Sequence, residues 1–265
     1  MSAQAAVLIT GASTGIGAVY ADRFAARGHD LVLVARDQAR MEELAARLRE
    51  RDGVSVDILR ADLASRADLA QVESRLVEDT RIGVLVNNAG ASSPGTFVEQ
   101  GPEAVGGIVD LNVTALARLA AAVGPRFARE GRGAIVNIGS VVGLAPEFGM
   151  SVYGATKAFV LYLSQALHLE LGPKGVYVQA VLPGATRTEI WARAGKDVNA
   201  LPAVMEAGDL VDAALVGYDR RETVTIPPLP DAQQWADFDA ARFAMFANFG
   251  QSQPAQRYRE AREAV

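Results

Sequence analysis

The sequence predicts a doubly wound α/β fold built on a parallel sheet, and three observations point there. Short apolar, β-branched runs alternate with segments of helical period. One of these runs, Leu31-Val32-Leu33-Val34, is unbroken by polar residues, as suits a strand covered on both faces. The first run ends in a glycine-rich turn that opens a helix.

The elements follow in order. Val7-Leu8-Ile9 is the first strand, stopped by Thr10-Gly11, after which Ile16, Tyr20 and Phe24 recur four apart on one helix face. Beyond the second strand, Met41, Leu44 and Leu48 mark the next helix. Val54-Ser55-Val56-Asp57-Ile58 alternates apolar and polar residues, which suits a sheet edge better than its middle. Val84-Leu85-Val86, Ala134-Ile135-Val136-Asn137-Ile138, Val176-Tyr177-Val178-Gln179-Ala180-Val181 and Val224-Thr225-Ile226 bring the expected count to seven parallel strands. No solenoid repeat or low-complexity linker interrupts them, so a single domain is expected.

Composition narrows the chemistry. The 265 residues are 50% hydrophobic and 22% charged, enough to bury a sizeable core and too apolar for a disordered chain. There is no cysteine, which excludes disulfides, thiolate metal sites and a cysteine nucleophile together. His29 and His168 are the only histidines, too few for a histidine-rich zinc site. A net charge of −5 argues against nucleic acid, whose phosphates need a basic surface. The first residues carry no basic region followed by a long apolar run, and no stretch of about 18 apolar residues is free of charge, so a cytoplasmic protein without a membrane span is expected.

Thr10-Gly11-Ala12-Ser13-Thr14-Gly15-Ile16-Gly17 lies between the first strand and its helix. Glycines there permit a tight turn and close approach of backbone to a pyrophosphate, and the helix N-terminus offers free N–H groups and positive dipole. A turn that is glycine-rich for steric reasons alone is the plainer alternative. Tyr153 and Lys157 are four apart in Tyr153-Gly154-Ala155-Thr156-Lys157, at the start of a helical segment running from Val152 to Leu171, so they share one face. A free phenol titrates near 10, and an adjacent ammonium favours the phenolate, making the pair a usable acid/base. Taken alone, such a pair is more often the wet edge of an amphipathic helix.

Together with Asn87-Asn88-Ala89-Gly90 after the fourth strand, these motifs resemble the short-chain dehydrogenase/reductase family, in its order and intervals, over roughly residues 5 to 228. The resemblance implies a Rossmann-type fold, an NAD(P)-dependent oxidoreductase and a ketone or aldehyde interconverted with an alcohol. It implies Tyr153 as acid/base and Lys157 as both its pKa-lowering neighbour and a ligand of the nicotinamide ribose. Ser140, thirteen positions before Tyr153 at a strand end, then orients the carbonyl; by itself it reads as a turn serine. Asn112, inside a long helical segment ending near Arg129, matches an asparagine that accompanies a local helix irregularity and holds a relay water. The plainer reading of Asn112 is a surface or N-cap asparagine.

For the cofactor, the resemblance adds Gly11, Ser13, Thr14, Gly15, Ile16 and Gly17 at the pyrophosphate, Asp62 and Leu63 at the adenine, and Asn88, Ala89 and Gly90 at the adenosine ribose. Pro183, Gly184, Thr186 and Thr188, after the sixth strand, match the loop that anchors the nicotinamide carboxamide. At the second strand's end, Ala35 fills the place where an acidic residue would select NAD, and Arg36 follows as a cation for a 2′-phosphate. NADP is therefore expected, with NAD as the alternative because Asp37 could repel the phosphate or tie up Arg36.

The same resemblance makes residues 187–208 a substrate lid. Its Ile190, Trp191, Val198, Leu201, Pro202 and Met205 suggest an apolar substrate, unless they merely pack the segment onto the domain. The Tyr153 helix commonly pairs subunits in this family, so a homodimer or homotetramer is expected. Residues 1–228 form the dinucleotide-binding and catalytic domain in this reading, and 229–265 a helical C-terminal extension. Trp235, Phe238, Phe243, Phe246 and Phe249 suggest that the extension packs its aromatic side chains. Two other functions fit the fold. A cofactor-binding redox sensor with little turnover is disfavoured by the presence of Ser140, Tyr153 and Lys157. A sugar-nucleotide epimerase or dehydratase would have a different glycine spacing and a longer substrate domain.

Overall fold

A computed structural model describes residues 4–92, 95–195 and 197–259. Five-residue, mostly apolar runs form the inner strands β1 (Ala6–Thr10), β2 (Leu31–Ala35), β5 (Ala134–Ile138) and β6 (Tyr177–Val181), each buried along its whole length. With β3 (Val56–Arg60), β4 (Ile82–Asn87) and β9 (Val224–Thr225) they make one parallel sheet in the order β3-β2-β1-β4-β5-β6-β9. This is the doubly wound architecture the sequence predicts. The alternating run is indeed an edge strand, although it begins at Val56, two residues later than its pattern suggests.

Alternation along each strand splits the core into two layers. Val7, Ile9, Leu33, Val86 and Val136 face one side, where α1 (Gly15–Ala26), α2 (Gln38–Asp52) and α8 (Ala207–Asp219) bring Tyr20, Phe24, Met41, Leu48 and Val211. Leu8, Val32, Leu85, Ile135 and Val178 face the other. There they meet Leu76 of α3 (Arg66–Glu78), Leu119, Val123 and Phe127 of α5 (Leu116–Glu130), and Leu171 at the end of α6 (Ser151–Leu171). Each such side chain contributes about 1.5–3 kcal/mol by burial.

The chain runs from β1 outward to β3, then returns to β4 beside β1, so the strand order reverses between β1 and β4. Loops diverge there and leave a crevice at the carboxyl ends of the strands, which is where this architecture binds ligands. The α4 (Pro102–Val109) helix continues through a π-helical segment, Asp110–Ala115, into α5. The run Pro102–Glu130 is long and apolar enough to cross a membrane by length and composition, whereas no span is expected from the sequence. Its buried stripe of Ala115, Leu119, Ala120, Val123 and Phe127 packs in the second core layer.

Residues 187–208 carry structure the sequence did not suggest. β7 (Thr186–Arg187) and β8 (Met205–Glu206) pair in parallel, and between them lie the short α7 (Ile190–Arg193) and a 3₁₀ turn, Val198–Ala200. Arg187 donates to Glu206 at 2.7 Å and to Asn199 at 2.8 Å, tying the base of this segment together.

The chain divides into two compact units, Met1–Pro228 and Leu229–Val265. In the second, α9 (Ala232–Ala244) forms where a helix is expected, with Trp235 stacked on Phe238 at 5.5 Å. Phe243 stacks on Phe246 at 6.0 Å, yet no described residue from 229 to 259 is buried, and Phe238, Phe243, Phe246 and Phe249 are exposed. A unit of this length holds too few apolar side chains to make a core of its own.

Candidate active site

The glycine turn closes on the β4 loop through Thr10 and Asn88. Thr10 Oγ1 accepts from the backbone N–H groups of Asn88 and Ala89, each at 3.0 Å, and donates to the Val86 carbonyl. Asn88 Nδ2 donates to the carbonyls of Thr10 and Gly11 at 2.9 and 3.2 Å. Gly17 must be glycine here, because a Cβ would lie 2.5 Å from Asn88 Nδ2 and closer still to the Gly11 carbonyl oxygen. Gly11 itself has φ +65, a left-handed conformation that glycine adopts freely.

The α1 N-terminus is left bare. Asp37 and Ser65 cap α2 and α3 with their side chains, whereas Thr14 makes no such bond to α1, whose first turn holds no acidic residue. Its unpaired N–H groups and dipole therefore favour an anion, and they border a cleft of about 490 Å³ lined by Ser13, Thr14, Ala18, Arg40, Glu43, Leu44 and Arg47. These features fit a dinucleotide pyrophosphate. Thr188 lies across the turn, its methyl 3.0 Å from where a Cβ on Gly15 would stand. Thr186 is buried and its hydroxyl bonds the Gly184 carbonyl at 3.1 Å. Pro183 accepts the backbone N–H of Val141 through its carbonyl, joining this loop to the end of β5.

At the end of β2, Arg36 is exposed and its Nη1 lies 3.9 Å from Asp62 Oδ2. Asp37 does not tie up Arg36, since its carboxylate caps α2 through the Arg40 N–H at 3.2 Å. Asp62 Oδ1 accepts the Ala64 N–H, and Leu63 is buried in the core, so Leu63 could meet an adenine only through its backbone.

The four candidate catalytic residues converge on the carboxyl ends of β4 and β5. Asn112 is 1% exposed in the π-helical segment, whose widened turn is the irregularity expected around it. It exchanges two bonds with the Ala91 backbone, both at 2.9 Å, and donates to Thr156 Oγ1 of α6 at 3.1 Å. Thr156, between Tyr153 and Lys157 in the chain, thus joins the Asn112 segment to α6, a link that no motif signals. Lys157 Nζ donates to the Ile138 carbonyl at 2.9 Å and would stand 3.5 Å from a Cβ on Gly90. It lies 5.6 Å from the centre of the Tyr153 ring. Ser140 Oγ accepts the Val142 N–H at 3.2 Å.

Electrostatics correct one expectation. Burial pushes the Tyr153 phenol up to about 12, and a hydrogen bond with Ser140 draws it only part of the way back. Burial also pushes the Lys157 ammonium down to about 8. Desolvation penalises both charged forms, and the lysine points at a carbonyl rather than at the phenol oxygen, so it does not hold the tyrosine low in this state.

Mostly apolar residues link Ser140 to Tyr153 along the chain. Two 3₁₀ turns, Val141–Gly143 and Pro146–Phe148, bridge them, leaving Phe148 exposed. No motif marks this stretch, although Val141-Val142-Gly143-Leu144-Ala145 directly follows Ser140. Trp191 of α7 donates to the Thr186 carbonyl at 2.8 Å, seating the start of the 187–208 segment.

A family model described as short chain dehydrogenase matches residues 5–199. The chain belongs to that family. The short-chain dehydrogenase from Sphingobium yanoikuyae, solved in complex with NADPH, is 66% identical and superposes with a TM-score of 0.95, covering 96% of this chain and 99% of that one. The bulky-bulky ketone specific alcohol dehydrogenase from Comamonas testosteroni is 58% identical with a TM-score of 0.91, over 97% and 99%. A very-long-chain 3-oxoacyl-CoA reductase from Anas platyrhynchos is 33% identical over 187 residues, 69% of this chain. This short-chain dehydrogenase spans only 60% of that relative's length.

Proposed function

We propose that this short-chain dehydrogenase is an NADP(H)-dependent reductase of bulky apolar ketones, working in reverse as an alcohol dehydrogenase. The convergence of Ser140, Tyr153 and Lys157 beside an uncapped, glycine-lined helix N-terminus carries the reading. NADP is supported by Ala35 filling the place where an acidic residue would select NAD, with the cation Arg36 directly after it, and by the NADPH bound to the Sphingobium relative. The apolar substrate is supported by Phe148, by half-buried Ile190, Trp191, Leu201 and Met205, and by the ketone specificity of the Comamonas relative.

When bound, the dinucleotide supplies the hydride that reaches the carbonyl carbon. Ser140 Oγ donates a hydrogen bond that holds the carbonyl oxygen, and Tyr153 gives up its phenolic proton to that oxygen as the alcohol forms. Lys157, held by the Ile138 carbonyl and 5.6 Å from the Tyr153 ring, would turn from that carbonyl to set its ammonium near the resulting phenolate and the nicotinamide ribose. Asn112 keeps the Ala91 loop against Thr156, so the floor beneath Lys157 stays in register. Subunits would pair through the outer face of α6, where Tyr162 and Leu169 are exposed two turns apart.

Tyr153→Phe tests the mechanism. Its kcat for ketone reduction should fall at least about a hundredfold with NADPH binding intact, a typical worth for acid/base catalysis. Retained turnover would refute the assignment. A kcat/KM for NADH above that for NADPH in the unaltered enzyme would refute the cofactor choice.

A further inference from the structure

The cleft at the α1 N-terminus holds a charge pair that the reaction scheme does not use. Arg40 sits in the first turn of α2, where a cation opposes the helix dipole. Its guanidinium leaves its own element: Nη1 donates to Glu189 Oε1 at 2.7 Å, compared with 3.5 Å from Nε to Asp37 Oδ2. Glu189 directly precedes α7, 149 positions along the chain, and both side chains are about half exposed. Arg40 lines the same cleft as Ser13 and Thr14, while Thr188, next to Glu189, lies on Gly15. One ion pair thus joins the wall of the cofactor cleft to the start of the 187–208 segment.

We propose that Glu189 is a cofactor-specificity residue whose carboxylate occupies Arg40 until the 2′-phosphate of NADP(H), bound beside Arg36, takes that arginine over. This rests on the NADP reading above. A phosphate monoester carries close to two negative charges and three strong acceptors, so it outcompetes a single solvated carboxylate for a guanidinium. NADH presents a hydroxyl there and leaves the Arg40–Glu189 pair intact. Glu189 therefore opposes NADP(H) binding specifically, and its release from Arg40 ties occupancy of the adenosine end to the segment that borders the substrate.

Fluorescence titration of NADPH and NADH against the unaltered enzyme, Glu189→Gln, Arg40→Ala and the double variant tests this. Glu189→Gln should bind NADPH about two- to fivefold more tightly, the range for a half-exposed ion pair, with NADH unchanged. Arg40→Ala should weaken NADPH alone and abolish the effect of Glu189→Gln. Unchanged or weaker NADPH binding in Glu189→Gln, an equal change for both cofactors, or an effect that persists without Arg40 would each overturn the proposal. Failure of the NADP reading is distinct: the unaltered enzyme would then bind NADH more tightly than NADPH, and both would fall.

Discussion

Lys157 shows how a single buried charge is set by its surroundings. Its type and its spacing from Tyr153 are legible in the sequence, but its acceptor, the Ile138 carbonyl, is nineteen positions away and depends on how α6 lies against β5. Its ammonium titrates at about 8 in the fold and at 10.5 when solvated, so the fold favours the neutral amine. Below about pH 8 the native state carries the full desolvation penalty, on the order of 3 kcal/mol, and the penalty disappears as pH rises to 10.5. Lys157→Met removes that titration and leaves the Ile138 carbonyl without its donor at every pH. Denaturant unfolding of the cofactor-free protein should therefore show the stability gap moving in favour of the unaltered enzyme by about 3 kcal/mol between those values. A gap independent of pH would mean that Lys157 is better solvated than the structure indicates. Asp37 makes the same point from the other side. The residue is legible as a threat to a phosphate, yet its carboxylate is engaged in capping α2, a role that depends on where the helix starts.

The strands were the most legible elements, because burial on both faces or on one writes itself into short runs such as Leu31–Ala35 and Val56–Arg60. The π-helical turn was half legible: a polar Asn112 inside an apolar helix signals irregularity, but the bonds to Ala91 and Thr156 that reward it come from distant loops. β7 and β8 were not legible, since two-residue strands have no period and exist only where their backbones meet. Arg126 is a comparable case within α5. It is 5% exposed, and its guanidinium donates to the carbonyls of Leu76, in the last turn of α3, and Ile82, at the start of β4. Nothing in its local sequence marks it as buried. Arg126→Leu keeps the apolar bulk but leaves both carbonyls unpaired, and should lower unfolding free energy by about 2–4 kcal/mol with kcat unchanged. Loss below about 1 kcal/mol would mean that water satisfies those carbonyls instead.

At the scale of the whole molecule, the boundary after Pro228 separates a unit with two dense core layers from one with no buried described residue. A chain ending at Pro230 should keep the melting temperature of the main unit and its NADPH affinity, because neither layer draws on residues beyond that point. A fall of several degrees would show that the exposed aromatics of the extension contribute to stability after all; a 1 kcal/mol loss shifts a domain this large by roughly 2–4 °C. The sequence by itself determined the doubly wound sheet, the glycine turn and the residue types of the site, because each depends on local periodicity, backbone permissiveness or spacing along one helix. Only the tertiary structure decided which groups those residues face: Lys157 at a carbonyl, Tyr153 desolvated, Arg40 held by Glu189. Desolvation and ion pairing depend on distances in space, and residues 149 positions apart have no spacing to read until the chain has folded.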